Sequence, residues 1–272
     1  MARTLPDFES PPVIETVLGV EFSPLARFSI PHFGMFWQTI RADYPNFSVQ
    51  PPLDPQIEGA GDGKPPKGPG VLIRILGHPP VRCWFINAKN TELVQLQSDR
   101  FLFNWRKIVG TEAYPHYDDH TRPVFCREWE RFCSFLRDNE LGQPQVRQCE
   151  ITYVNHLEKG QGWQSLADMA SIFPCWSGRM TGSFLPVPEA VEIGSGYQLP
   201  GGSGRLRITI QPAIRHTDQK EVLQLTLAVR GKPASGNTQD ILKWLDLGRE
   251  WIVRGFTDFT SEAMHKLWRR TV

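Results

Sequence analysis

The sequence predicts an α+β protein made of two similar β-α-β(3-4)-α halves, each with antiparallel strands packed against long helices. Three observations carry this expectation. Short runs alternate apolar and polar residues with the period of half-buried strands. Longer runs repeat apolar residues at helical spacing, and the order of the two kinds of run recurs along the chain. With 272 residues, 40% of them hydrophobic, the chain has material for a sizeable core, in one large domain or two smaller ones. The halves are expected at 1–142 and 143–272.

In the first half, Ile14, Leu18, Val20 and Phe22 alternate with Glu15, Gly19 and Glu21, the pattern of a strand that Pro11 and Pro12 punctuate at its start. Phe33, Phe36, Trp37, Ile40 and Tyr44 then mark one stripe of a helix that Pro45 closes. The Pro- and Gly-rich stretch 51–70 has too little apolar surface to fold alone and reads as an exposed loop. Four strand-like runs follow as a meander: Val71–Leu76, Val81–Asn87, Glu92–Gln97 and Phe101–Arg106. Phe125, Trp129, Phe132 and Leu136 place a second helix over about Arg122–Asn139, ended by Gly142.

The second half repeats the order. Val146–Asn155 reads as a strand with Cys149, Ile151 and Tyr153 on one face, and a short helix near Trp163–Ala170 follows. Strands are expected at Thr181–Val191, Arg205–Ala213 and Glu221–Arg230, with Gly194–Gly204 as a hairpin loop. Thr238 is the expected cap of a long C-terminal helix striped by Ile241, Leu245, Ile252, Phe256 and Phe259; a last turn carries Met264, Leu267 and Trp268. This order is analogous to TATA-binding-protein-like and helix-grip folds, in which a sheet and a helix enclose a cavity or a sheet docks a partner; the analogy does not assign a function.

Charge and composition narrow the partners. Thirty Lys plus Arg against 29 Asp plus Glu leave a formal charge of +1, so nucleic acid is not indicated by net charge. The absence of a ~20-residue apolar run argues against a membrane span. Five cysteines without any CxxC suggest neither a disulfide framework nor a zinc knuckle, and a reducing cytoplasm fits best.

No motif carries chemistry outright. Gly59–Lys64 resembles a phosphate loop, but Pro65 stands where Ser or Thr should bind magnesium. His116, Asp118, Asp119 and His120 are the densest metal-type side chains, and they read better as a polar loop before a helix. Cys149 and His156 are seven apart on one strand, so they point to opposite faces and form no dyad. No catalytic residue and no cofactor is expected. In Arg100–Lys107 aromatic and basic residues interleave, as on a single-strand nucleic-acid platform, yet Phe101, Phe103 and Trp105 share the face that a core would take.

The opening Pro11–Val20, the blocks Val94–Phe101 with Asn104–Lys107, Gln148–His156, and Leu245-Asp246 through Glu262 to Trp268 resemble a sporadically distributed family of bacterial proteins with no assigned activity. The likeness spans nearly the whole chain. It implies a bacterial cytoplasmic protein; sporadic distribution is common among mobile accessory genes, including defence systems. Within those blocks, Gln97, Arg100, Asn104, Arg106, Asn155 and His156 are polar residues on or beside strands, where a buried polar group must find partners. They are the candidate contacts for a ligand or partner. The expected function is a non-enzymatic protein-interaction or assembly module, with a protein partner or a second copy; the alternatives are a small-molecule or lipid-like ligand cavity between sheet and helix, or a nucleic-acid accessory role through strand 100–107.

Overall fold

The computed structural model describes residues 4–54, 58, 81–176 and 184–272. The expected strand Val71–Leu76 and the Gly59–Lys64 run lie outside the described residues. Nine strands form one antiparallel sheet among the described residues: β1 Val13–Phe22, β2 Asn46–Gln50, β3 Arg82–Ile86, β4 Glu92–Gln97, β5 Arg100–Arg106, β6 Val146–Glu158, β7 Ile193–Gln198, β8 Arg205–Ile214 and β9 Glu221–Gly231. Their order is β2-β3-β4-β5-β1-β6-β9-β8-β7. The first strands of the two sequence halves, β1 and β6, therefore meet at the centre, and each half runs outward from its last strand to its earlier ones.

The helices are α1 Ile30–Ile40, α2 Arg122–Asp138, α3 Met169–Ile172, α4 Thr238–Phe259 and α5 Glu262–Leu267. The apolar stripes of α2 and α4 are those expected and lie on one face of the sheet, whereas Leu267 of α5, expected with Met264 and Trp268, is exposed. On α2, Phe125, Trp129 and Phe132 close around Phe101 of β5, with ring centroids 5.4–6.2 Å apart, and Phe36 of α1 bridges Phe85 of β3 and Phe132. Phe101, Phe103 and Trp105 are all buried on this side. The β5 aromatics are core, so they offer no stacking surface to a nucleic acid.

Helix α4 crosses β6, β9 and β8 by presenting glycines to them. A Cβ on Gly248 would stand 2.6 Å from Ile151 Cγ2, and one on Gly255 would stand 2.9 Å from Leu206 Cδ2. Ile241, Leu245, Ile252, Phe256 and Phe259 fill the space around them and are all buried. Asn237, not Thr238, caps the helix: its side chain accepts the Asp240 N–H at 2.8 Å.

Two strands differ from expectation. Residues 184–191 carry no strand; Pro186 and Pro188 withhold ladder donors there, and the strand forms at Ile193–Gln198, where Ser195 pairs Ile208 and Tyr197 pairs Leu206. Gly194 and Gly196 are thus strand residues, not loop. The short β2 is additional. Its signal is the alternation of Phe47 and Val49 with Asn46, Ser48 and Gln50, cut off by Pro51. No helix among the described residues is long and apolar enough to cross a membrane.

Candidate functional site

Residues that alternate with the core aromatics of β5 must face away from the helices. They are Arg100, Leu102, Asn104 and Arg106, and the strand registers bring Gln95 and Gln97 of β4, Glu15 and Glu21 of β1, Gln148 and Glu150 of β6, Arg230 of β9, and Arg205 and Arg207 of β8 onto the same face, opposite the main described helices. Such a face is ordinarily solvated. Here Gln95, Gln97, Arg100, Asn104, Glu21, Gln148 and Glu150 are all buried, and a buried polar group must be hydrogen-bonded or cost about 1–3 kcal/mol. Gly19 makes room for this crowding: a Cβ there would meet Leu102 Cδ2 and stand 2.9 Å from Glu150 Cγ.

Part of the face is an internal lock. Trp84 Nε1 and an Arg82 guanidinium N–H both donate to Gln95 Oε1 at 2.8 Å, Gln95 Nε2 donates to Asn104 Oδ1 at 2.8 Å, and Asn104 Nδ2 donates to Glu15 Oε1 at 2.7 Å. This chain ties β3, β4, β5 and β1 together. Arg82 and Arg106 each place a guanidinium carbon 5.4 Å from the Trp84 ring centroid. Burial raises the Glu15 pKa, against the hydrogen bond from Asn104 and the charge of Arg106.

The rest of the face holds a segment of the chain's own backbone. Arg82 Nε donates to the Pro51 carbonyl at 2.8 Å; Gln97 accepts the Leu53 N–H at 2.9 Å and donates to the Leu53 carbonyl at 3.2 Å. Arg100 donates to the Asp54 carbonyl at 3.3 Å, and Gln148 accepts the Glu58 N–H at 2.9 Å. The Glu58 carboxylate takes both Arg207 Nε and a terminal Arg207 N–H, at 2.5 and 2.9 Å, with Arg205 3.7 Å away. In sheet order these contacts run from β3 through β4, β5 and β6 to β8.

Two ion pairs lie beneath this track: Arg100 with Glu21 at 2.9 Å and Arg230 with Glu150 at 2.9 Å. Burial pushes the Glu21 carboxyl up to about 7, Arg100 opposing the shift and the nearby Glu150 charge adding to it. Arg100 Nε is buried without a protein partner.

Of the six residues singled out in the sequence, Gln97, Arg100, Asn104 and Arg106 come together here. Gln97 and Arg100 grip the segment; Asn104 and Arg106 belong to the lock. His156 shares this face near the far end of β6, its Nε2 3.4 Å from Gln224 Oε1, and burial lowers its pKa. Asn155 lies on the opposite face, beneath α4. The four metal-type candidates diverge: His120 Nε2 meets Glu92 Oε1 at 2.5 Å, Asp118 meets Arg249 at 3.3 Å, His116 stands 3.9 Å from Asp7, and Asp119 is exposed. No metal-binding group of His, Cys, Asp and Glu forms among the described residues.

Sequence reasoning passed over Gln148, Arg205 and Arg207. The two arginines alternate with Leu206 and Ile208 and are readable as outward-facing, but nothing local joins them to a glutamate 149 positions earlier. Comparison with protein-family models, curated proteins and solved structures finds no match to this chain.

Proposed function

We propose that this protein is a protein-docking module whose sheet face opposite the main described helices takes an extended segment of a partner carrying an acidic side chain. One observation carries the reading. Among the described residues, the hydrogen bonds to the chain's own segment go to main-chain atoms, namely Pro51 O, Leu53 N and O, Asp54 O and Glu58 N, apart from those that grip the Glu58 carboxylate. Main-chain contacts confer affinity for an extended backbone whatever its sequence, and a two-arginine clamp adds selectivity for a carboxylate. Residues 51–54 and Glu58 are then a tethered stand-in for the partner. The nucleic-acid alternative has less support, because Arg100, Arg207 and Arg230 are each engaged by a carboxylate of the chain.

The test removes the tethered competitor, whose effective concentration would mask a ligand added in trans. In a variant with residues 51–58 replaced by Gly-Ser of equal length, a fluorescein-labelled peptide of residues 50–60 is expected to bind at least about tenfold tighter than to the natural chain. Arg207→Ala in that variant is expected to abolish the gain. Equal affinity with and without Arg207, or capture of a single-stranded oligonucleotide in preference to the peptide, would overturn the reading.

Self-association is a second reading, favoured by the outermost position of β2 among the described strands and by Phe47 and Val49, which are exposed on it. A concentration-dependent dimer in sedimentation that Phe47→Lys dissolves would support it; a monomer at every concentration would remove it.

A further inference from the structure

The clamp on Glu58 carries more positive charge than the carboxylate it holds can balance. Arg207 takes both carboxylate oxygens, its Nε donating to Oε1 at 2.5 Å and a terminal N–H to Oε2 at 2.9 Å. Arg205 lies two residues earlier on β8 and so on the same face, but it stops 3.7 Å from Oε2, within ion-pair range and beyond a hydrogen bond. Among the described residues Arg205 has no other acidic partner and makes no side-chain hydrogen bond.

Its neighbours do not supply the missing charge. Across the β8–β9 register stands Arg230, and across the β7–β8 register stands Gln198, which is neutral. Arg100 is matched by Glu21, Arg230 by Glu150 and Arg207 by Glu58, which leaves Arg205 as the arginine at this end of the face without a carboxylate of its own. Gly196, opposite Arg207, adds no side chain over the clamp; a Cβ there would stand 3.8 Å from Arg205 Cδ. The side chains of Arg205 and Arg207 are 23% and 33% exposed, so an incoming group reaches both without opening the fold.

A phosphate monoester suits this pair better than a carboxylate does. It carries about −1.5 to −2 charges on three oxygens set tetrahedrally, so two can meet Arg207 while the third turns to Arg205. The phosphate oxygens of a phosphoserine are separated from Cα by as many bonds as the carboxylate oxygens of a glutamate. The group therefore arrives where the Glu58 carboxylate lies, on a backbone held in place by Gln148, which accepts the Glu58 N–H at 2.9 Å. Resting on segment docking at this face, we infer that the partner presents a phosphoserine in the place of Glu58, and that Arg205 is the residue that tells it from an acidic side chain.

The probes are fluorescein-labelled peptides of residues 50–60 carrying Glu58, Glu58→Ser, or Glu58→Ser phosphorylated at that serine, titrated by anisotropy against the chain whose residues 51–58 are Gly-Ser. The phosphorylated peptide is expected to bind at least about tenfold tighter than the Glu58 peptide, and the unphosphorylated serine peptide at least about tenfold weaker than it. Arg205→Ala is expected to remove the phosphate gain while leaving the Glu58 peptide within about threefold, because a part-exposed ion pair without a hydrogen bond contributes little. Arg205→Gln serves if that variant does not fold. A phosphoserine moved to position 60 is expected to lose the gain, which separates the clamp from a general attraction of charge. If Arg207→Ala leaves the Glu58 peptide unaffected, docking itself fails and the phosphate inference with it. If the Glu58 peptide binds and needs Arg207, but the phosphorylated peptide binds no tighter or keeps its gain without Arg205, docking stands and the phosphate inference is overturned.

Discussion

Gln97 holds Leu53 at two points, accepting its N–H and donating to its carbonyl, as a neighbouring strand would but with a side-chain amide. The contact lets a strand buried within a sheet recognise a chain lying across it.

Gln97→Ala is therefore expected to release the segment without unfolding the protein. Amide exchange at Leu53 should quicken by about tenfold or more, with a global stability loss of only about 1 kcal/mol, the net worth of one or two such hydrogen bonds. Unchanged protection at Leu53 would show that other contacts hold it.

Glu21 is expected to make the fold less stable as pH rises. Its carboxyl titrates at about 7 when folded, against an ordinary 4.5, so between these values the folded chain keeps a proton that the unfolded chain has lost. Stability should fall across that window, by an order of 1–3 kcal/mol, and change no further from this group above it. Denaturant melts from pH 4 to 8 should show the slope, and Glu21→Gln should flatten it. Titration of the Glu21 carboxyl by carbon NMR with a midpoint near 4.5 would refute the assignment.

Two glycine-to-alanine changes in helices are expected to have opposite signs. At Gly248 the new methyl would collide with Ile151, and α4 must lift from the sheet at a cost of about 1–3 kcal/mol. At Gly34 of α1 it would meet nothing within 4 Å, and helix propensity alone should add about 0.5–1 kcal/mol of stability. Thermal melts of the two single variants check the pair.

The cysteines should react in the order of their exposure. All five are free thiols; Cys175 is exposed, while Cys149 is buried and burial pushes the Cys133 thiol up to about 12. A thiol reagent under native conditions is expected to label Cys175 first and to reach Cys149 only on unfolding, as peptide mapping by mass spectrometry would show. Early labelling of Cys149 would contradict the packing of β6 under α4.

By itself the sequence determined which side chains face the core. The stripes Phe125–Trp129–Phe132–Leu136 and Ile241–Leu245–Ile252–Phe256–Phe259, and the alternation in β1, β5, β6, β8 and β9, are local periodicities, and burial of one face follows from them directly. The same alternation placed Arg100, Asn104 and Arg106 on one face of β5, because residues two apart on a strand share a face; Gln97 joins them only through the β4–β5 register, in which it pairs with Arg100. What the tertiary structure decided depends on residues far apart in the chain. That β1 and β6 join both halves into one sheet, that the second strand of the second half forms at 193–198, and that Glu58 reaches Arg207 all depend on pairings with distant segments. Asn155 and His156 show the limit most sharply: adjacent in sequence, they serve opposite faces, one beneath α4 and one on the open side of the sheet, because a strand alternates its side chains and only packing decides which side receives the helices.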